Sequence, residues 1–541
     1  MASETSPSPG TSTGSAALEG AKQRFSRNAA FNAGAALVDI VVGFVIVPLV
    51  VHGLGEVSYG IWVLVGQGIA GMGLADFGMS ITVVRFLAQH NARDDRDAVQ
   101  RLMSTSLLYS FLPAVLVLCG GGLFAVWAPQ WFHLPAALVF DTRLTIAFMA
   151  TALALNFPAA VLNAAIPACS RYDYLAWCKI VLQVLRAVLY WAVLAAGWGL
   201  AGVAAAALAS EIVSAGLGVY LAHALLPWLR LSRRAVSWET LRPLLGFSVY
   251  AFLLMVAVQA IFGIDNLVVG WALGPVAVAF YGLAAGLAER LRASLKVVTT
   301  LYAPLAAQMH ALERHDEMRQ LFLLGSRLTL LLVMPACLGL CLLGPDFLQL
   351  WVGASYRQHS SAILILLAAA VAFFALDMPC TQVLYGMGRH RFNALLSCAE
   401  GGANLVLSLI LVRFWGGVGV AWGSFIPALV CEAFILPAYT LRHIQLKPWP
   451  YYRSVLLRPL AVAAPAAGWF LAWHESGWVV SWFRFAATVL GGLLVYMWAL
   501  RAYGIGAEES GYLRRALGRL PPVVLAWLLP APAAAGRAAA E

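Results

Sequence analysis

The feature that most constrains this chain is a succession of apolar runs, each about as long as a bilayer is thick, separated by short polar breaks. A hydrocarbon core of roughly 30 Å is crossed by about 20 apolar residues in helical form. Windows of that kind fall near 29–51, 58–84, 102–126, 141–166, 176–196, 200–224, 244–264, 275–295, 328–346, 358–384, 393–413, 418–438, 458–473 and 480–500. Inside lipid each backbone polar group must be satisfied within its own segment or a closed barrel, and runs this long select helices. The prediction is an all-α polytopic membrane protein of about fourteen transmembrane helices. Composition agrees: 11% of residues are charged, against roughly a quarter in soluble domains.

Positive charge tests the helix count, because short cytoplasmic loops retain Lys and Arg. With both ends inside, 30 of the 35 Lys and Arg fall in cytoplasmic segments or helix ends. The outer side receives Arg143, Arg357, Arg413 and Arg484, and Arg186 lies within a span. A wrong count would scramble this alternation. The net charge of +10 is thus topological, and because the basic residues are scattered in small groups, no nucleic-acid partner is expected. No loop has room for a soluble catalytic domain. The eight cysteines form no CxxC pair and read as small hydrophobes, so neither metal nor cofactor is expected.

An internal repeat organises the spans. Tyr59-Gly60 follows LGEVS, and Tyr281-Gly282 follows LGPVAVAF. CSRYDYLAWCKIV around Arg171, then Gly199 and Gly202, is matched by MGRHRFNALLSCAE around Arg389, then Gly416 and Gly419. An even number of spans per copy gives both copies the same orientation, the plan of a two-lobed transporter. The expected organisation is a disordered cytoplasmic tail (1–21), an N-lobe of six helices (22–226), a cytoplasmic linker (227–243), a C-lobe of six helices (244–441), an appended helix pair (442–500) and a cytoplasmic tail (501–541).

The stretches 47–89, 262–284 and 383–424 carry a family resemblance. They read VPLVVHGLGEVSYGIWVLVGQGIAGMGLADFGMSITVVRFLAQ, FGIDNLVVGWALGPVAVAFYGLA and VLYGMGRHRFNALLSCAEGGANLVLSLILVRFWGGVGVAWGS. The chain resembles polysaccharide flippases of the Wzx type, in the multidrug/oligosaccharidyl-lipid/polysaccharide (MOP) exporter superfamily. That resemblance implies a V-shaped two-lobed fold in a bacterial inner membrane. It further implies a cargo of isoprenoid-pyrophosphate-linked oligosaccharide, moved to the outer leaflet by alternating access and driven by a proton or sodium gradient. Other polysaccharide-assembly membrane proteins are candidate partners. Fourteen spans are typical of the lipid-linked branch, whereas drug exporters of the superfamily usually have twelve.

Ionisable residues inside spans are the best pointers to a site, because each costs several kcal/mol unless it faces a cavity or a partner. Arg186, near the middle of the fifth span, is a candidate for the cargo pyrophosphate, since a guanidinium fork matches phosphate oxygens. An internal salt bridge to Glu211 is the alternative. Arg290, Arg292 and Lys296 extend the eighth span towards the cytoplasm, with Glu289, Arg292 and Lys296 on one helical face. The resemblance makes them a cationic vestibule, with Arg85 as a partner from the other lobe, and plain positive-inside anchoring is the alternative. Asp39 lies on a stripe with Asn28, Asn32 and Gly43 in the first span and is a candidate for ion coupling. Asp377 is the second choice, and Asp76, Asp265, Glu400 and Glu432 are further acidic candidates with structural roles expected for most.

The rival from another class is a membrane-embedded glycan polymerase or glycosyltransferase. Its outer loops would need sugar-binding and acid/base residues, and the stretches WAPQWFHLPAALVFD and GPDFLQLWVGASYRQHS are short and mostly apolar. A transporter, not an enzyme, is therefore expected. A drug or cation antiporter and a peptidoglycan-precursor flippase are rivals on the same fold; the span count disfavours the first.

Overall fold

The computed structural model describes residues 12–299 and 302–504. Among the described residues there is no strand. The first part of the chain forms α1 (Ser12–Met72), α2 (Met79–Ala92), α3 (Arg96–Trp131), α4 (Val139–Asn163), α5 (Ala165–Ala168), α6 (Tyr172–Ala195), α7 (Gly199–Leu225) and α8 (Trp238–Phe262). Then come α9 (Asp265–Leu273), α10 (Pro275–Thr299), α11 (Tyr302–Ala311), α12 (His315–Leu342), α13 (Gly344–Trp351), α14 (Ala354–Gly386) and α15 (His390–Val430). The chain continues through α16 (Leu436–His443), α17 (Pro448–Tyr452), α18 (Arg458–Glu475) and α19 (Trp482–Ala499). Helix α1 begins inside the segment read from composition as an unstructured tail; residues 1–11 and 505–541 lie outside the described residues.

Ten described stretches are long and apolar enough to cross a membrane. Two of them, Val38–Asp76 and Arg391–His443, contain 39 and 53 residues, enough at 1.5 Å per residue for two passes of roughly 30 Å. Each is broken at a glycine: Gly55 at φ 74°, ψ 169°, and Gly416 at φ 58°, ψ −137°. A Cβ at Gly55 would meet nothing within 4 Å. Glycine is needed there for its backbone, since L-residues are disfavoured at positive φ.

These breaks recur with the repeat. Gly274 has φ 79°, ψ −179° before Tyr281-Gly282, close to Gly55 before Tyr59-Gly60. Gly199 and Gly416 share φ 58°, and Ser170 and Gly388, which precede Arg171 and Arg389, have φ 56° and 71°. The sequence echo is therefore also an echo in chain reversals.

The helices form two compact units that divide between Val256 and Ala257, within α8 and beyond the 227–243 linker read from the sequence. In the first, α4 packs on α3 and α7, and α6 packs on α1 and α7. Met79, Val83, Leu87, Val99, Leu102 and Met103 lie in its apolar core. In the second, α14 packs on α10, α12 and α15, and α18 packs on α12 and α19. Polar contacts tie the two appended helices α18 and α19 to this unit. Tyr496 donates its hydroxyl to the Leu331 carbonyl at 2.6 Å, and His474 Nδ1 lies 2.6 Å from buried Asp346 Oδ2.

Candidate functional site

In the first unit polar residues of the spans form three hydrogen-bonded pairs between neighbouring helices. Gln183 Nε2 on α6 donates to Asp39 Oδ1 on α1 at 2.8 Å. Arg186, one turn further along α6, directs Nε to Ser210 Oγ on α7 at 3.5 Å. The next residue, Glu211, accepts from Asn156 Nδ2 on α4 at 2.8 Å. Among the described residues no ion pair joins Arg186 and Glu211. Asp39 and Asn156 are exposed, and Gln183, Arg186 and Glu211 are half-buried. Exposed polar groups inside an apolar span are expensive against hydrocarbon.

Of the sequence candidates, Asp39 is held by Gln183, a residue the sequence reading did not single out, and Arg186 stands one turn from Gln183 on the same helix. The signal was present as polar residues three apart on an apolar helix, Gln183 and Arg186. The side chains of Asn28 and Asn32, expected on the same stripe as Asp39, lie outside those described.

In the second unit Arg292 of α10 is 6% exposed. It is ion-paired with Glu289 one turn before it, and its guanidinium lies 5.5 Å from the centre of the Phe374 ring on α14. The charges of Glu432 and Glu400 act on it. Asp377, one turn beyond Phe374, acts in turn on both glutamates. Thr381 donates to the two Asp377 oxygens at 3.4 and 3.3 Å.

Glu400 projects from α15, and Glu432 from a π-helical turn over Cys431–Ile435. There the N–H of Leu436 reaches the carbonyl of Cys431, one residue further back than in an α-helix, just ahead of Pro437, which has no N–H to give. Such turns reset the direction of the side chains they carry, and here they place Glu432 in the interior, 6% exposed. Arg292, Glu400 and Glu432 are thus buried in the second unit, and Asp377 is half-buried.

A third polar centre surrounds Asp265, at the start of α9 and buried. Tyr281 and Ser424 donate their hydroxyls to Asp265 Oδ2 at 2.8 and 2.7 Å. Asn404 Nδ2 donates to the Ile261 carbonyl at 3.0 Å and to Ser424 at 3.4 Å, and Ser408 donates to Asn404 Oδ1 at 3.0 Å. Asp265 Oδ1 and Asn266 Oδ1 are buried without a hydrogen-bond partner. A carboxylate with neighbouring carbonyl and hydroxyl oxygens is the donor set of a hard cation. Asn404, Ser408 and Ser424 were not legible as site residues, because isolated Asn and Ser are common in apolar helices.

The remaining candidates lie apart. Arg85 is exposed on α2, and Arg290 is exposed with Nη1 3.4 Å from the Gly286 carbonyl. The side chain of Lys296 lies outside those described. The Asp76 carboxylate accepts the backbone N–H and the hydroxyl of Ser80, at 3.0 and 3.1 Å, in the first turn of α2.

Solved structures of transporters share this fold. A structure titled lipid II flippase MurJ, inward closed conformation, superposes with a TM-score of 0.67 at 13% identity, covering 91% of this chain and 99% of the other. An inward-facing multidrug resistance MATE family transporter of the MOP superfamily superposes with a TM-score of 0.62 at 15% identity, covering 76% and 98%.

The family model described as polysaccharide biosynthesis protein matches residues 54–361, more than half of the chain. The chain belongs to this family. The Bacillus subtilis membrane protein named EpsK is 25% identical over 448 residues, 81% of this chain and 87% of its own length.

Proposed function

We propose that this protein is a flippase that moves isoprenoid-pyrophosphate-linked oligosaccharide from the cytoplasmic to the outer leaflet of a bacterial inner membrane, by alternating access and with both termini in the cytoplasm. The observation that carries the reading is the conjunction of membership in a polysaccharide-biosynthesis family with guanidinium groups held inside membrane-spanning units. Arg186 is half-buried on α6 and Arg292 is buried on α10. A lipid-linked sugar presents a pyrophosphate as its one strongly charged feature, and Arg binds phosphate oxygens in a fixed fork. Arg186 and Arg292 are the residues we assign to that headgroup inside the membrane, with Arg85 and Arg290 attracting it from the cytoplasmic surface.

Transport against a gradient needs a coupled ion. Asp39 and Asp377 are the titratable candidates, and the Asp265 centre supplies a second kind of site, suited to sodium. Its unpartnered buried oxygens favour a bound cation over a purely structural hydrogen-bond network.

The test is the fate of lipid-linked oligosaccharide in a strain lacking the gene, with leaflet location read by a non-permeant sugar-modifying reagent. Complete glycolipid should accumulate inaccessible from outside, and the intact gene should relieve it. Glycolipid that reaches the outer leaflet but fails to polymerise would refute the proposal in favour of a polymerase. Undisturbed glycolipid would point to another cargo.

A further inference from the structure

The segment that joins the two repeats, between α7 and α8, is fastened along its length to the first unit. Leu226, Leu229 and Leu244 are buried in that unit's apolar core. The backbone N–H groups of Ser232 and Ser237 donate to the hydroxyls of Ser104 and Thr105 on α3, each at 3.2 Å, and both of these residues are buried. Ser232 Oγ accepts the N–H of Arg234 at 3.2 Å, and the guanidinium of Arg96, at the start of α3, lies 5.3 Å from the centre of the Trp228 ring. The backbone of this strap is therefore held in place, and so is the origin of every side chain on its exposed face.

That face is basic and apolar at once. Arg230, Arg233, Arg234 and Arg242 are exposed, and so are Leu231 and Trp238, at 44% and 66%. Between Leu226 and Leu244 the sequence holds a single acid, Glu239. The neighbouring α2–α3 connection sets Arg93, Arg96 and Arg101 against Asp94, Asp95 and Asp97 and adds no net charge. Water solvates arginines well and an exposed Leu and Trp badly, whereas the interface of a bilayer accommodates both: indole rings settle at headgroup level, and guanidinium groups meet lipid phosphates. The strap leaves α7 at the end of the apolar span Gly199–Leu225, the level at which a chain emerges from hydrocarbon.

The arrangement recurs after the last helix of the second repeat. Pro448-Trp449 stands 221 positions after Pro227-Trp228, as Tyr281-Gly282 stands 222 after Tyr59-Gly60. Trp449 is 68% exposed between exposed Lys447 and Arg453, and the sequence from Ala433 to His474 contains neither Asp nor Glu.

We propose that the strap between Leu226 and Leu244, and its counterpart around Trp449, bind the headgroups of anionic phospholipids, so that each unit carries its own anchor to a charged leaflet. That this leaflet is the cytoplasmic one rests on the orientation proposed above; the binding itself does not, and it is independent of the cargo. Because buried hydroxyls already hold the first strap, a lipid phosphate orders side chains and no backbone. Each basic residue close to an anionic surface contributes about fivefold in affinity, and salt weakens the contribution.

The experiment uses the full-length protein in neutral detergent, equilibrated with equal amounts of phosphatidylglycerol and phosphatidylcholine of the same acyl chains. Native mass spectrometry reads which lipid stays bound. The expected result is enrichment of phosphatidylglycerol on the wild type, reduced severalfold in Arg233→Gln/Arg234→Gln and in Lys447→Gln/Arg453→Gln, and lost when all four are replaced. Arg143→Gln/Arg413→Gln removes as much charge from helix ends read as outer and should leave the enrichment unchanged. Arg230→Gln/Arg242→Gln stands in if the first strap variant elutes as aggregate.

An equal loss in Arg143→Gln/Arg413→Gln makes the preference one of net charge and overturns the proposal. Enrichment that survives replacement of all four residues overturns it too, as does a wild type that retains both lipids alike. Strap-dependent retention of a short-chain dialkyl pyrophosphate diester, with no preference for phosphatidylglycerol, overturns it in favour of cargo capture. The glycolipid assay above tests the flippase reading separately, so either can fail alone.

Discussion

Gln183 Nε2 lies 2.8 Å from Asp39 Oδ1, joining residues 144 positions apart on α6 and α1. The contact leaves Asp39 exposed, while its direction is fixed by a neutral amide. Asp39→Asn keeps hydrogen-bonding capacity and removes the titratable group. The expected outcome is a folded protein whose transport no longer responds to the imposed ion gradient, measured by cargo flipping in proteoliposomes. Full retention of that response would leave Asp39 with a structural role.

Removing the partner instead should give a different result. Gln183→Leu deletes one hydrogen bond to an exposed carboxylate, worth about 1 kcal/mol in net stability. Ion-driven transport should persist at a reduced rate, because Asp39 loses its orientation and keeps its charge. Thermal unfolding in detergent and the flipping assay together separate the two substitutions.

Tyr281→Phe and Ser424→Ala each remove one of the two hydroxyls that donate to Asp265 Oδ2. Hydrogen bonds to charged groups contribute about 1.5–3 kcal/mol, so either variant should unfold at a lower temperature than the wild type. If the centre binds sodium, added sodium should raise the unfolding temperature of the wild type by mass action and raise that of Asp265→Asn much less. Equal responses would assign the centre to structure alone.

The glycines at the chain reversals predict a graded series. Gly55→Ala adds a methyl group to open space at φ 74°, so its cost is the backbone term of about 1–2 kcal/mol. Gly419→Ala would place a Cβ 2.2 Å from the Leu411 carbonyl oxygen, forcing the two halves of the bent α15 apart. It should destabilise more than Gly55→Ala, as read by unfolding temperature and by the yield of monodisperse protein.

His474 and Arg357 are the partners of buried Asp346, at 2.6 and 3.4 Å. The first belongs to the appended helix pair and the second to α14. His474→Phe should cost about 1–3 kcal/mol, the penalty of leaving a buried acceptor short of a partner. It should also raise proteolytic susceptibility selectively around the loop between α18 and α19. Uniform susceptibility along the chain would mean that the contact does not secure this pair.

The sequence by itself determined the membrane class, the helical crossings and the repeat. Each is written in short-range terms: apolar runs as long as the bilayer is thick, and glycines that recur before the same Tyr-Gly and after the same Arg. The residues that populate positive φ, Gly55 with Gly274 and Gly199 with Gly416, were visible as sequence echoes because a backbone requirement selects a residue type directly. Candidate residues were legible one at a time, since a lone ionisable group in an apolar run is conspicuous. Their company was not. Only the tertiary structure joined Asp39 to Gln183, set Arg292 over the Phe374 ring, and gathered Tyr281, Asn404 and Ser424 around Asp265. Those groupings depend on how helices far apart in the chain pack. Packing of uniformly apolar helices leaves no periodic signature by which the facing residues could be paired in advance.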